Sequence, residues 1–155
     1  MPASLLCLEL TESLFAGNAR RRAKFVLDAL DALGVKLAID DFGTGYSALA
    51  YLQDLPFDKL KIDRSFVTDI DQKPAKQKLF KGIVDLARTL GLEVVAEGAE
   101  TDAEVLALMR LGADAVQGYA MARPMPADGA AKAAEAIVRG FATRFGALTP
   151  LKAAG

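Results

Sequence analysis

The chain has 155 residues, of which 52% are hydrophobic and 25% are charged, and its formal net charge is −1. This composition is typical of one globular α/β unit. The net charge shows no excess of positive charge of the kind that binds a nucleic acid polymer or an anionic membrane. The sequence has no histidine, which excludes nucleophiles activated by histidine and histidine metal sites. Its single cysteine excludes an intramolecular disulfide. Any acid–base catalysis or metal binding must therefore use carboxylates and lysine.

Short β-type runs alternate with helical periods along the chain, a pattern that favours βα units and a parallel sheet. The predicted strands are 5–10, 36–40, 59–63, 93–96 and 115–119, and the predicted helices are 18–33, 47–54, 74–90, 102–111 and 128–145. We expect one domain over residues 1–146 and a flexible tail over residues 147–155. With no leader-like start and no apolar run that could cross a bilayer, the expected location is cytoplasmic.

The second predicted strand ends in two adjacent carboxylates, Asp40 and Asp41, followed by a turn that contains Gly43 and Gly45. Two acids at the exit of an apolar strand cost free energy to desolvate unless a positive charge compensates them. Their hard oxygen ligands suit Mg²⁺ or Mn²⁺. The alternative interpretation of this run alone is a solvated turn whose acids cap a helix that begins at Ser47.

Polar residues interrupt each of the other predicted strands: Glu9, Lys61, Glu97 and Gln117. The carboxyl ends of parallel strands converge on the edge of the sheet where ligands bind, so we expect these side chains to share one cleft. Taken singly, each could be a structural ion pair or a satisfied polar contact. Several carboxylates around one lysine would repel each other without a metal, which predicts a metal-assisted site for a phosphate-bearing substrate.

Five segments of the sequence form a spaced pattern: Glu9-Leu10-Thr11-Glu12, Asp40-Asp41-Phe42-Gly43-Thr44-Gly45-Tyr46-Ser47, Lys61-Ile62-Asp63 followed by Phe66-Val67, Ala96-Glu97-Gly98-Ala99-Glu100-Thr101, and Gln117-Gly118-Tyr119 with Arg123-Pro124 behind. Lys61 lies twenty residues after Asp41, Glu97 thirty-six after Lys61, and Gln117 twenty after Glu97. In both residues and spacing, these segments resemble the EAL-domain phosphodiesterases, which hydrolyse cyclic di-GMP. The resemblance implies a partial TIM-like (βα) barrel of about five parallel strands with helices outside.

The same resemblance implies roles for the strand-end residues. Glu9, Asp40 and Asp41 would be ligands of a two-metal Mg²⁺ or Mn²⁺ centre. Glu97 would be either a further ligand or the base that acts on the attacking water, and Lys61 would hold that water or the scissile phosphate. The implied reaction is hydrolysis of cyclic di-GMP to the linear dinucleotide by metal-activated water.

Three further roles follow from the resemblance. Gln117 would hydrogen-bond within the site and contact substrate. The loop after the acidic pair would couple metal binding to dimerisation, and Glu12 would brace that loop. The residues of the loop are Phe42, Gly43, Thr44, Gly45, Tyr46 and Ser47.

The sequence also departs from the family, because it contains neither the Glu-Ala-Leu signature nor any tryptophan. By the resemblance, part of the barrel and further metal ligands would lie upstream of Met1, so the truncated chain is expected to be inactive alone. Open sheet edges predict a homodimer or association with the missing barrel segment. Two other readings stay open: a non-catalytic cyclic di-GMP-binding or dimerisation module, and a barrel lyase that uses Lys61 as a Schiff-base nucleophile.

Overall fold

The computed structural model describes residues 2–11, 14, 20–44 and 52–145. Four residues with predicted roles, Glu12, Gly45, Tyr46 and Ser47, lie outside this part of the chain, as do most of the predicted helix over 47–54 and the tail over 147–155. The predictions made for them therefore stay predictions.

Five strands form one parallel sheet in the order in which they occur along the chain. This confirms the predicted strand number and direction, although β5 is shorter than expected because the chain leaves the sheet at Gly118. Within the described residues, the outer edges of β1 and β5 carry no further strand. The strands are β1 Cys7–Thr11, β2 Lys36–Phe42, β3 Lys59–Ile62, β4 Glu93–Glu97 and β5 Ala115–Gln117.

Among the described residues, helices connect β1 to β2, β3 to β4 and β4 to β5, and one short 3₁₀ turn, Ala3–Leu5, precedes β1. Helix α2 was not predicted, since four residues are too few to show a helical period. It exists because Asp63 leaves β3 and caps it: the Asp63 side chain accepts a hydrogen bond from the Ser65 N–H at 2.9 Å. The helices are α1 Arg20–Ala32, α2 Arg64–Val67, α3 Pro74–Thr89, α4 Asp102–Leu111 and α5 Ala127–Phe145. Among the described helices, none is long and apolar enough to cross a membrane.

The two faces of the sheet differ in chemistry because successive strand residues point to opposite sides. One face belongs to the hydrophobic core, and its residues Leu37, Ile39, Leu60, Ile62 and Val94 are fully buried. The other face, which would be the interior of a barrel, carries the charged strand residues described below.

Glu104, in the first turn of α4, ties that helix to the loops beside it. Its carboxylate is 6% exposed. It accepts hydrogen bonds from the N–H groups of Asp69 at 2.9 Å, Glu100 at 2.9 Å and Thr101 at 3.0 Å. Burial by itself would raise the pKa of Glu104, but these donors outweigh it and hold the pKa below its usual value.

We expect Glu104→Ala to lower the free energy of unfolding by about 1–3 kcal/mol at neutral pH, since three N–H donors lose their acceptor. A lowered carboxylate pKa contributes stability that is present above the unfolded-state pKa and lost as the pH falls through the folded-state pKa. The deficit should therefore shrink below about pH 4. Urea unfolding at two pH values measures this. Glu135→Ala, at an exposed position of α5, is the control. An equal loss of unfolding free energy in both variants would contradict the role of Glu104 as the acceptor that holds α4 to the neighbouring loops.

Candidate metal centre

Lys61 lies at the centre of a cluster of carboxylates on the open face of the sheet. The residue is 5% exposed, and its Nζ lies 2.7 Å from Glu9 Oε2, 2.8 Å from Asp40 Oδ1 and 2.8 Å from Glu97 Oε1. The structure thus brings together predicted residues from four strands. One buried ammonium faces at least three carboxylates, so the cluster carries excess negative charge.

A bulge in β2 delivers both members of the acidic pair to this cluster. In the pairing of β2 with β3, Ile39 is opposite Leu60 and Phe42 is opposite Ile62, so Asp40 and Asp41 together face Lys61. Regular alternation would place adjacent side chains on opposite faces of the sheet. Asp41 instead has φ +54°, a conformation that aspartate tolerates better than most residues, and the bulge redirects its carboxylate.

The cluster has the composition of a divalent metal site. Carboxylate oxygens of Asp40, Asp41 and Glu97 lie within 4.8 Å of one another. Asp40 Oδ1 is buried, and it lies 2.8 Å from Lys61 Nζ without the geometry of a hydrogen bond. One lysine cannot neutralise several partly buried carboxylates, so a further cation would lower their mutual repulsion. The donor set fits Mg²⁺ or Mn²⁺, which prefer carboxylate oxygens.

Burial and charge shift the ionisation of two members of the cluster. Burial by itself would lower the pKa of Lys61, but its close contacts with the carboxylates of Asp40, Glu9 and Glu97 outweigh it and raise the pKa. Burial raises the pKa of Glu97; Lys61 opposes this rise and Asp40 adds to it. Lys61 is therefore a fixed cation, and this weighs against a Schiff-base nucleophile, which must be an unprotonated amine. Glu97 is a carboxyl group with unusual affinity for a proton.

Gln117 fixes the orientation of the Glu97 carboxylate. Its Nε2 donates a hydrogen bond to Glu97 Oε1, the same oxygen that contacts Lys61. The backbone strengthens this arrangement, because Ala99 N–H bonds to Gln117 O at 3.3 Å and Ala120 N–H to Ala99 O at 2.9 Å. Since both contacts fall on Oε1, the Oε2 atom is the one available to a metal or a proton.

The described part of the predicted loop turns sharply after Asp41. Thr44 donates to Asp41 O from both its N–H, at 3.2 Å, and its Oγ1, at 2.9 Å. Phe42 is buried in the core, while Gly43 and Thr44 are exposed. The role of this loop in dimerisation is not tested by these contacts.

Two side chains to which the sequence analysis assigned no role lie against loops of the site. Phe66 approaches Gly43, and Arg64 crosses Gly98. The sequence did contain a signal for these contacts: Gly43 and Gly98 each follow a strand, and a glycine at such a position often marks the close approach of another group.

The EAL domain family model matches residues 1–124. This chain belongs to the EAL domain family. The cyclic di-GMP phosphodiesterase NbdA of Pseudomonas aeruginosa is 42% identical over 152 residues, which are 98% of this chain and 18% of NbdA. The chain therefore spans less than a fifth of the length of this curated relative.

Solved EAL structures share the fold. A structure described as the PaMucR phosphodiesterase in complex with c-di-GMP superposes with a TM-score of 0.77 at 45% identity, covering 84% of this chain and 52% of the other. Klebsiella pneumoniae BlrP1, in a manganese/cy-diGMP complex, gives a TM-score of 0.72 at 38% identity over 80% of this chain and 31% of BlrP1. This EAL chain thus corresponds to about half of the solved MucR phosphodiesterase chain, in agreement with a partial barrel.

Proposed function

We propose that this chain supplies the metal-binding part of an EAL phosphodiesterase that hydrolyses cyclic di-GMP to the linear dinucleotide. The observation that carries the proposal is the cluster of Glu9, Asp40, Asp41 and Glu97 around Lys61, in which one ammonium faces more carboxylates than it can neutralise. The family membership and the ligands named for MucR and BlrP1 support the substrate.

Mg²⁺ or Mn²⁺ would be held by Asp40, Asp41 and Glu97, with Glu9 at the edge of the same cluster. When bound, such ions lower the pKa of water and neutralise charge that develops on a phosphodiester. Their positive charge would also offset the repulsion among the carboxylates.

The side chains of the chain have complementary tasks in this proposal. At Oε2, Glu97 is either a further metal ligand or the base that accepts the proton of the attacking water, and a raised pKa suits the second task. Gln117 holds the other oxygen of Glu97 in place. Lys61, always protonated, stabilises negative charge on the phosphate and keeps its carboxylate partners aligned.

A groove beside the cluster offers room for the rest of the substrate. Its volume is about 460 Å³, and its lining includes Gln117, Tyr119 and Arg123. The guanidinium of Arg123 lies 4.5 Å from the centre of the Tyr119 ring. A cationic group over an aromatic ring is suited to a ligand that carries both phosphate and a flat base.

We further propose that the chain pairs with a second copy or with the remainder of an EAL barrel. Within the described residues neither edge of the sheet carries a further strand, and exposed sheet edges are prone to association.

The test is hydrolysis by this chain combined with the part of the MucR EAL domain that it does not cover. We expect Mn²⁺-dependent formation of the linear dinucleotide by the combination, and at most about 10⁻³ of that rate from the chain alone, because metal ligands are then missing. Asp40→Asn should abolish turnover. Asp85→Asn, at an exposed acid on α3, should leave it unchanged.

Two results would refute the proposed function. One is that the combination folds but forms no linear dinucleotide. The other is that it turns over equally well with Asp40→Asn. Binding of cyclic di-GMP without turnover would favour the non-catalytic binding module.

A further inference from the structure

The geometry points to α2 as a positioning element for the proposed metal centre: Arg64 and Phe66 hold the Asp40–Asp41 loop and the Glu97 loop at a fixed separation around Lys61. The inference rests on the metal centre proposed above. It concerns residues that are not themselves metal ligands.

Phe66 fixes the first loop. A Cβ atom on Gly43 would lie 2.6 Å from both Cε2 and Cζ of the Phe66 ring, so the ring occupies the space beside that glycine. Gly43 has φ +97° and follows Asp41 by two residues. The half-buried Phe66 packs on the hydrophobic core. The loop that carries the acidic pair thus rests on a side chain anchored in the core.

Arg64 fixes the second loop. A Cβ atom on Gly98 would lie 2.7 Å from Arg64 Cγ and 2.8 Å from Arg64 Cβ, so the aliphatic stem lies directly across the residue that follows Glu97. Its Nη2 also contacts Glu100 Oε1 at 2.8 Å. Both partners of that ion pair are about half exposed, and such pairs contribute little. The packing of the stem is therefore the stronger restraint.

The helix itself is fastened at both ends. Asp63 caps its start, and Lys76 Nζ lies 2.6 Å from Ser65 O and 2.7 Å from Thr68 O. Because α2 follows β3 almost directly, one short segment carries Lys61 and both loop contacts. A change in this segment should alter the distances between the proposed ligands without removing any ligand.

Mn²⁺ binding to the full 155-residue chain, followed by the EPR signal of free Mn²⁺, tests the inference. We expect Arg64→Ala and Phe66→Ala each to weaken binding by about 10-fold, the lower end of the effect of residues that orient metal ligands. Arg64→Met keeps the stem without the charge and should bind within about threefold of the unchanged chain. Arg139→Ala and Phe25→Ala remove exposed side chains of the same types and are the matched controls.

Hydrogen exchange without metal gives an independent readout. The amides of Ala99 and Ala120, which join the ends of β4 and β5, should exchange faster in Arg64→Ala, while amides of α5 should keep their rates. If Phe66→Ala does not fold, Phe66→Leu, which removes the ring but keeps apolar bulk, takes its place. If Arg64→Ala changes neither the Mn²⁺ affinity nor the hydrogen-exchange rates, the inference about α2 is overturned, while the proposed metal centre is not. If the unchanged chain does not bind Mn²⁺, the same variants are compared in its combination with the remainder of the MucR EAL domain, and failure of that combination to bind would overturn the proposed metal centre.

Discussion

Lys61→Met should lower the free energy of unfolding by about 3–5 kcal/mol at neutral pH without metal, because it leaves buried carboxylates without their cation. The lysine is 5% exposed and touches Glu9, Asp40 and Glu97. Divalent metal should restore part of the lost stability, since a bound cation replaces the missing charge. Acid should restore part as well, because it protonates the carboxylates.

Chemical unfolding of both proteins with and without Mn²⁺ measures this effect. Lys59→Met is the matched control: Lys59 is on the same strand but contacts a single carboxylate, Glu93, at 3.7 Å. We expect a smaller loss that metal does not restore. Equal losses of unfolding free energy in the two variants would contradict the role of Lys61 as the cation that neutralises the carboxylate cluster. A loss in Lys61→Met that Mn²⁺ does not reduce would contradict it as well.

Glu97→Gln should reduce turnover of the completed domain by about 10²–10⁴-fold, the usual contribution of a general acid–base group. The same change should not lower the stability of the metal-free chain. Burial and the nearby Asp40 raise the pKa of Glu97 despite Lys61, so its ionised form is disfavoured in the folded state. Glutamine has the same shape and is neutral, so the replacement removes the cost of burying the ionised Glu97 at pH values above the ordinary carboxylate pKa.

Turnover and thermal unfolding of the same variant separate catalysis from folding. Glu93→Gln, four residues earlier on β4, is the control, because Glu93 faces Lys59 at the other end of the strand. It should keep turnover. A large loss of stability in Glu97→Gln would show that the Glu97 charge is a structural requirement of the fold.

Much of the fold could be predicted because its elements are periodic. The five strands and four of the helices match the described structure to within a few residues at their ends, and α4 has its predicted bounds. Hydrophobic alternation and helix spacing encode these elements locally. The convergence of strand-end polar residues also followed from the parallel direction of the strands.

The finer geometry of the site was not accessible from the sequence, for physical reasons. Adjacent acids in a strand should diverge, and only the bulge opposite Lys61 and the positive φ of Asp41 bring them together. Both features depend on strand pairing, which has no short-range signature. Helix α2 depends on the Asp63 cap and on contacts of Arg64 and Phe66 with distant loops, so its role likewise emerges only from the tertiary structure.

Anomalous diffraction from crystals of this chain combined with the remainder of the MucR EAL domain, grown with Mn²⁺, would test the proposed metal centre most directly. We expect an anomalous peak in contact with the carboxylates of Asp40, Asp41 and Glu97, beside Lys61, and its disappearance in Asp40→Asn. The absence of a peak at this cluster under saturating Mn²⁺, or a peak that persists unchanged in Asp40→Asn, would contradict it.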